Sequence, residues 1–319
     1  MNTLHRRAFL ERSAILGGAT IVCGSFRGIL KAADTAPNLK FPTGPRERLA
    51  VATWPFRAFL ESPGNEYRDK SQPSMDLREF AAKVRTDFGV PGVEPLSSHF
   101  PSTGESYLHS FREAIAKAGV HVVNIPVDNS NSYYDADLAV RKKAVDNGKK
   151  WVDVAVVIGS PSVRTSIAEA KNAKPDVNVV AEQLLRVVDY AASKNILVNL
   201  ENDNLVSEDA FFLVKVIEKV NHPYLHALPD FCNSMMTGNE KFNYDAVTAM
   251  FRHAYNICHV KDSEVGDGGK VFRVNLKKTF DILKASHYRG YLSMEWEGQG
   301  SSYDGTRQLI AASLKYLAP

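Results

Sequence analysis

Cysteine is scarce in this chain, which has only three cysteines in 319 residues. Cys23 lies in the first segment, so Cys232 and Cys258 are the two that remain in the rest of the chain. Two cysteines in a chain of this length do not make the disulfide framework of a small secreted domain. We expect both to stay unpaired, and the 44% of hydrophobic residues is enough to build an ordinary globular core instead.

Long runs of charge of one sign are also absent, and no segment is low in complexity. The formal net charge of +3 comes from 39 basic and 36 acidic residues. Five of the basic and one of the acidic residues lie within residues 1–33, which leaves 34 and 35 in the remainder, a net charge of −1. A nearly neutral chain has no electrostatic footprint for a nucleic acid, so we expect no such partner.

A hydrophobic run long enough to cross a bilayer is missing as well. The apolar stretch within "HRRAFLERSAILGGATIVCGSF" (5–26) is too short and too rich in glycine for a span of about 20 residues. Its start, Arg6 to Leu10, resembles the core of a twin-arginine export signal, although Glu11 stands where lysine is usual. An amphipathic first helix is the alternative. We expect residues 1–35 to be an export signal and linker, and the mature protein to be periplasmic or extracellular without a stable membrane anchor.

The remaining residues, 36–319, alternate between apolar strand-like runs and amphipathic helical patterns. Eight strands are predicted, at 49–54, 91–96, 121–128, 162–167, 196–201, 225–230, 256–260 and 291–297. The predicted helices that follow them are 75–88, 107–119, a long helix ending at 159, 179–193, 208–220, 244–254, 275–286 and 305–317. Strict βα alternation with eight units predicts a single (βα)₈ TIM barrel domain. A doubly wound open sheet is less consistent with the sequence, because no glycine-rich phosphate loop follows the first strand.

One stretch, "WVDVAVVIG" (151–159), reads at first as a buried strand. It continues the preceding polar pattern without a break signal, however, and Trp151, Val154, Ala155 and Ile158 recur at helical spacing. We therefore predict that it ends a long helix and that the fourth strand comes after Pro161.

Four late strands end in a residue that can bind a metal: Glu201, Asp230, His259 and Glu295, separated by 29, 29 and 36 residues. Each interval is about one βα unit, so the four residues occupy equivalent places that converge at the C-terminal mouth of a barrel. Three carboxylates and an imidazole would repel one another unless a cation neutralised them, and this donor set suits Mn²⁺, Mg²⁺, Co²⁺ or Zn²⁺. Taken singly, each could be a solvated carboxylate or a structural histidine.

The segments "LVNLEND", "ALPDFCN", "CHVKD" and "LSMEWEG" resemble the strand ends of the xylose isomerase-like barrel superfamily, over the chain from about residue 48. That superfamily includes sugar phosphate isomerases and epimerases, hydroxypyruvate isomerase and inosose dehydratase. The resemblance implies the same four residues as metal ligands. The chain departs from the pattern at Asp203, where relatives often have histidine, and at Asn233, a position that is histidine in ketose epimerases. The sequence argues against the endonuclease branch, because its full set of additional ligands cannot be placed and a basic stripe is absent.

The resemblance implies carbonyl chemistry on a carbohydrate through an enediolate, with Glu201 and Glu295 as an acid/base pair as well as ligands. Isomerisation or epimerisation of a free sugar is the leading hypothesis. A lyase or dehydratase acting on a keto-sugar or inositol derivative would use the same site, and a non-catalytic carbohydrate-binding barrel is a third reading. A homo-oligomer is compatible with each of them.

Six further side chains are candidate substrate contacts: Trp54, Glu94, His99, Arg164, Asn233 and Lys261. Each has a structural alternative. Trp54 could pack in the core, Arg164 could form an internal ion pair, and Lys261 could form an exposed salt bridge. Histidines in loops, such as His99, usually do not contact substrate.

Overall fold

Parallel strands and helices alternate along the chain in a computed structural model that describes residues 36–318. The predicted export signal and linker, residues 1–35, therefore lie outside the described residues. The strands are β1 Leu49–Ala52, β2 Gly92–Glu94, β3 His121–Val122, β4 Ile125–Val127, β5 Ser162–Thr165, β6 Leu197–Glu201, β7 Leu225–Leu228, β8 Ile257–Val260, β9 Ser263–Val265, β10 Val271–Arg273 and β11 Tyr291–Met294. The helices are α1 Leu77–Lys83, which continues as a π-helical turn over Val84–Phe88, α2 Glu105–Ala118, α3 Leu138–Ile158, α4 Val177–Ala192, α5 Ala210–Val220, α6 Glu240–Phe251, α7 Leu276–Ala285 and α8 Ser302–Leu317.

The strands close into a barrel through two parallel sheets. One sheet has the order β3-β2-β1-β11-β8, and the other has the order β4-β5-β6-β7. At one seam, β3 and β4 are two halves of a single barrel strand, since β3 pairs with β2 and β4 pairs with β5. At the other seam, an isolated bridge joins Asp230 to His259, whose backbone N–H donates to the Pro229 carbonyl over 3.0 Å. Eight parallel barrel strands result, which confirms the predicted TIM barrel.

The long helix predicted up to residue 159 is confirmed as α3. Its N-cap is Asp137, whose side chain accepts a hydrogen bond from the Ala139 N–H, and it ends at Gly159 in the left-handed conformation with φ of 78°. Trp151, Ala155 and Ile158 are buried on the face that packs against the barrel. The apolar run is therefore one face of a helix, and the strand that follows Pro161 is β5.

Six of the eight predicted strands were too long at their C-terminal ends, whereas the strands predicted to end at Glu201 and Val260 do end there. Asp230 and Glu295 were predicted inside strands, but β7 ends at Leu228 and β11 ends at Met294. The antiparallel hairpin β9–β10, which leaves the barrel after β8, was not predicted. No helix of the described residues is long and apolar enough to cross a membrane.

Both cysteines of the barrel are buried and free, as predicted. Burial raises the pKa of the Cys258 thiol to about 12, and burial also raises the pKa of the Cys232 thiol. Each therefore packs as a small apolar side chain rather than as a reactive thiolate.

The close approach of β1 and β2 depends on Gly92, and it gives a stability prediction. A Cβ atom at Gly92 would lie 2.6 Å from the Ala50 Cβ and 2.8 Å from the Leu49 carbonyl oxygen. Because this contact is between packed strands, we expect Gly92→Ala to lower the free energy of unfolding by about 1–3 kcal/mol. Urea unfolding measures the change. Gly104→Ala is the matched control, since its Cβ would meet only the Ser102 Oγ, at 3.2 Å, and equal destabilisation by both variants would contradict the packing argument.

Candidate metal centre

The four predicted ligands meet at the C-terminal mouth of the barrel. Glu201 is the last residue of β6, Asp230 lies two residues beyond β7, His259 lies within β8, and Glu295 directly follows β11. All four are buried, and one donor atom from each lies within 4.8 Å of all the others. Four separate strand ends thus supply one compact cluster.

His259 is at the centre of the cluster. Its Nδ1 lies 2.7 Å from Glu201 Oε1 and 3.2 Å from Glu295 Oε2, while its Nε2 lies 3.0 Å and 3.1 Å from the two oxygens of Glu94. Burial lowers the pKa of His259, but the negative charges of Glu201, Glu295 and Glu94 outweigh it and hold that pKa well above its usual range. The ring is therefore an imidazolium whose Nδ1 points at two of the other three candidate ligands.

Asp230 contributes an oxygen that accepts no hydrogen bond from the described part of the chain. Its Oδ1 accepts from the backbone N–H groups of Cys232, at 2.8 Å, and Asn233, at 2.6 Å. Its Oδ2 is buried, and none of the residues from 36 to 318 donates to it. Burial raises the pKa of Asp230 to about 7, because a carboxylate without compensation is costly in the interior.

These residues fit a divalent cation. Three carboxylates and one imidazole form a set of hard oxygen donors with a single nitrogen, which Mn²⁺, Mg²⁺, Co²⁺ and Zn²⁺ accept. Oδ2 of Asp230, which accepts no hydrogen bond from residues 36–318, is available as a ligand atom. Ligation by His259 needs a neutral ring, so binding would release its Nδ1 proton.

Glu94, a candidate substrate contact, lines the cavity and also contacts His259. Its side chain is fully buried, and both of its oxygens face His259 Nε2. The Asn124 amide also donates to Glu94 Oε1 over 2.8 Å. A carboxylate behind a metal-binding histidine fixes the tautomer and orientation of the ring, and Glu94 would do this for His259 with a metal bound.

Replacing this supporting carboxylate gives a second prediction. We expect Glu94→Gln to weaken Mn²⁺ binding about 10- to 100-fold, because the amide no longer offers two anionic oxygens to the His259 ring. Isothermal titration calorimetry of the metal-free protein measures the change. Glu79→Gln, an exposed glutamate on α1, is the control and should bind as the wild type does. An unchanged affinity in Glu94→Gln would show that the contact does not support the ligand.

A cavity of about 360 Å³ opens above the cluster, and its lining is strongly acidic. Seven carboxylate residues line it: Glu94, Asp128, Glu201, Asp203, Glu264, Glu295 and Glu297. Two basic residues, Arg164 and Lys261, line it as well. The volume suits a small molecule, and the excess of negative charge favours a cation at its base.

Arg164 forms the internal ion pair that was the alternative to a substrate contact. Its Nε donates to Glu201 Oε2 over 2.7 Å, and its Nη1 and Nη2 each lie 3.3 Å from Asp128 Oδ1 and Asp203 Oδ2, respectively. Asp203, one of the departures from the family pattern, is therefore held by the Arg164 guanidinium at the edge of the cavity.

Lys261 is buried, so the alternative of an exposed salt bridge was wrong about its exposure. Its Nζ donates to Glu264 Oε2 over 2.8 Å and to Asn233 Oδ1 over 3.0 Å, and it lies 3.3 Å from Glu295 Oε2. Burial lowers the pKa of Lys261, but the charges of Asp230 and Glu295 outweigh it and raise that pKa well above its usual value. Lys261 and Asn233 thus stand beside Glu295 at the cavity wall.

Trp54 and His99, two candidate substrate contacts from the loops after β1 and β2, lie in different environments. Trp54 lines the cavity, where its Nε1 donates to Glu297 Oε2 over 2.8 Å. His99, a predicted substrate contact, is not among the residues that line the cavity. The 3₁₀ turn Ser97–His99 folds its ring inward, where Nδ1 lies 2.8 Å from Thr53 Oγ1 and burial lowers its pKa to about 3.

Ten of the lining residues were not among the predicted site residues, including Asp128, Glu264 and Tyr67. Asp128 follows β4 in the same way as the other strand-end carboxylates, so its position was a usable signal. Glu264 comes from the β9–β10 hairpin, whose only sequence sign was the adjacent pair Gly268 and Gly269. Tyr67 lies in the long loop after β1 and gave no signal.

Comparison with known proteins agrees with this architecture. The family model described as xylose isomerase-like TIM barrel matches residues 82–319. A search of curated protein sequences found no match.

Several solved structures share the fold. A xylose isomerase-like TIM barrel protein from Mycobacterium smegmatis, in complex with magnesium, is 16% identical with a TM-score of 0.64, covering 87% of this chain and 100% of its own. D-allulose 3-epimerase from a Methylomonas species, in complex with D-allulose, is 16% identical with a TM-score of 0.63, over 87% and 98% of the two chains. A probable 3-DHS dehydratase from Bacillus anthracis is 12% identical with a TM-score of 0.59, over 83% and 97%. At these identities the similarity shows the fold alone.

Proposed function

This chain belongs to the xylose isomerase-like TIM barrel family, and we propose that it is a divalent-metal-dependent isomerase or epimerase of an uncharged sugar. One observation carries the proposal. Glu201, Asp230, His259 and Glu295 bring four donor atoms within 4.8 Å of one another, and Asp230 Oδ2 has no donor among the described residues. The cluster lies at the base of a cavity large enough for a small polar substrate.

The proposed reaction moves a proton on and off a carbon next to a carbonyl group. A divalent cation held by the four ligands supplies Lewis-acid stabilisation of the negative charge that develops on the substrate oxygens. Glu201 and Glu295 are the proposed acid/base pair, because they come from β6 and from the end of β11 and both line the cavity. Lys261, 3.3 Å from Glu295 Oε2, keeps that carboxylate ionised.

The charge of the cavity supports an uncharged substrate. Its two basic lining residues are already paired, Arg164 with three carboxylates and Lys261 chiefly with Glu264 and Glu295. A phosphate group would therefore meet carboxylates without a free cation to bind it. The hydroxyl groups of an uncharged sugar, in contrast, can donate hydrogen bonds to the same carboxylates.

Export is part of the proposal and rests on the sequence alone. Arg6 and Arg7 open a segment that resembles a twin-arginine signal, whose substrates travel folded and often with the metal already bound. Residues 36–319 would then be the exported barrel, acting on sugars in the periplasm or outside the cell.

Hydrogen exchange with solvent tests the reaction. We expect the Mn²⁺-loaded protein, incubated in D₂O with a panel of ketohexoses and inositol derivatives, to incorporate deuterium beside a carbonyl group and to form an isomer. Mass spectrometry and proton NMR report both changes. A product lighter by one water would identify a dehydratase that uses the same site. No exchange by protein that holds its metal, with sugar binding indifferent to a chelator, would contradict the proposal and favour a binding barrel.

A further inference from the structure

The two oxygens of Glu201 have different partners. Oε1 lies 2.7 Å from His259 Nδ1, inside the cluster of candidate ligands. Oε2 accepts a hydrogen bond from Arg164 Nε at 2.7 Å. Both side chains are buried, Glu201 at 1% and Arg164 at 6% exposure, so this charge-assisted bond does not compete with bulk water.

Arg164 cannot easily turn away from this contact. Its planar guanidinium also holds Asp128 through Nη1 and Asp203 through Nη2, each at 3.3 Å. Three carboxylates from two strand ends, Asp128 after β4 and Glu201 and Asp203 at the end of β6, therefore fix the plane of the guanidinium. The backbone adds to this, because Arg164 of β5 lies in register with Asn199 of the adjacent β6, two residues before Glu201.

We propose that Arg164 is a positioning residue that confines Glu201 to metal ligation through Oε1 alone. A carboxylate can bind a cation through one oxygen or through both. If Glu201 used both, it would occupy a further coordination position, one that a substrate oxygen needs in the proposed reaction. By holding Oε2, Arg164 keeps that position available. The inference rests on the proposed function, since it requires a cation at the four ligands.

The alternative role for Arg164 is to neutralise buried negative charge. The two roles predict different metal geometries in the variants Arg164→Lys and Arg164→Met. Lysine keeps the positive charge but has one compact ammonium group instead of a planar fork, so it cannot hold Glu201, Asp128 and Asp203 in the same geometry. Methionine removes both the charge and the donors while filling part of the volume. A positioning role predicts that neither variant restores the wild-type metal geometry, whereas a charge role predicts that lysine does.

The visible absorption spectrum of bound Co²⁺ tests the inference, because its d–d bands lose intensity as the coordination number rises. The whole protein is freed of metal with a chelator and titrated with Co²⁺, as wild type, Arg164→Met, Arg164→Lys and the control Arg186→Met. Arg186 forms an exposed salt bridge with Glu182 on α4. Arg186→Met therefore also removes a guanidinium from a carboxylate, but at a site on the surface. We expect a clear loss of band intensity in both Arg164 variants and none in the control.

Each outcome of this experiment decides something. Full Co²⁺ binding with superimposable spectra in wild type and Arg164→Met would overturn the inference while leaving the proposed function intact. A wild-type spectrum in Arg164→Lys would overturn it in favour of charge neutralisation, and this variant carries the test if Arg164→Met does not fold. Failure of the wild type to bind Co²⁺ at all would contradict the proposed function, and the inference with it.

Discussion

Replacing His259 with alanine is expected to lower the affinity for Mn²⁺ by more than about 100-fold, since even residues behind a ligand contribute 10- to 100-fold. The side chain is fully buried, and its Nδ1 faces Glu201 and Glu295 at 2.7 Å and 3.2 Å. Without it, the cluster loses its only nitrogen donor. The purified wild type should carry near-stoichiometric divalent metal by plasma mass spectrometry, and the variant should carry almost none.

Two further variants are controls for the loss of metal in His259→Ala. His109→Ala removes an exposed histidine that pairs with Glu105 on the surface, and it should keep the wild-type metal content. Asp230→Asn keeps an oxygen for the N–H groups of Cys232 and Asn233, so its loop should stay folded while its affinity falls. Circular dichroism confirms folding. Wild-type metal content in folded His259→Ala would show that His259 is not a ligand.

Glu295→Gln is expected to reduce the rate of solvent hydrogen exchange by about 10²- to 10⁴-fold, because an amide cannot accept the proton that a carboxylate does. The amide oxygen can still ligate, so most of the metal content should remain. Burial raises the pKa of Glu295, but the charges of His259 and Lys261 outweigh it and lower that pKa, so the side chain is an ionised base at neutral pH. The fall should appear in kcat rather than in KM.

Glu182→Gln on the exposed face of α4 is the matched control and should exchange at the wild-type rate. The ratio of exchange rate to metal content separates the two proposed functions of Glu295. A variant that loses metal and activity in proportion would mean that Glu295 is a ligand only. A variant with full metal and undiminished exchange would remove Glu295 from the proposed acid/base pair.

The barrel was predictable from the sequence because its pattern is periodic along the chain. Eight βα units, and the helical spacing of Trp151, Ala155 and Ile158, are local signals that do not depend on distant contacts. The ends of the strands were not predictable to the residue. At Asp230, for example, the chain leaves β7 two residues earlier than its apolar pattern suggested, because the side chain turns to accept backbone N–H groups from its own loop.

The four candidate ligands were predictable for a related reason. Each comes from the same place on its strand, and a closed barrel brings equivalent places together at one end. The positions of Glu201 and His259 therefore followed from the spacing, and the structure brings them within 2.7 Å of each other.

The partners of those ligands were not predictable, because they depend on contacts between strands that are distant in sequence. Glu94 reaches His259 across 165 residues, and Arg164 reaches Glu201 across 37. Nothing local distinguishes a glutamate that binds substrate from one that orients a histidine. His99 is a second example of a contact that the sequence does not reveal. Only the packed structure shows that its ring lies against Thr53 rather than in the cavity.

Anomalous diffraction from crystals soaked in Mn²⁺, recorded at the manganese absorption edge, shows directly where the cation binds. We expect a single strong peak per chain among Glu201, Asp230, His259 and Glu295, and no peak there in His259→Ala crystals. A peak elsewhere, or none in wild-type crystals at saturating Mn²⁺, would show that these four residues do not form a metal site.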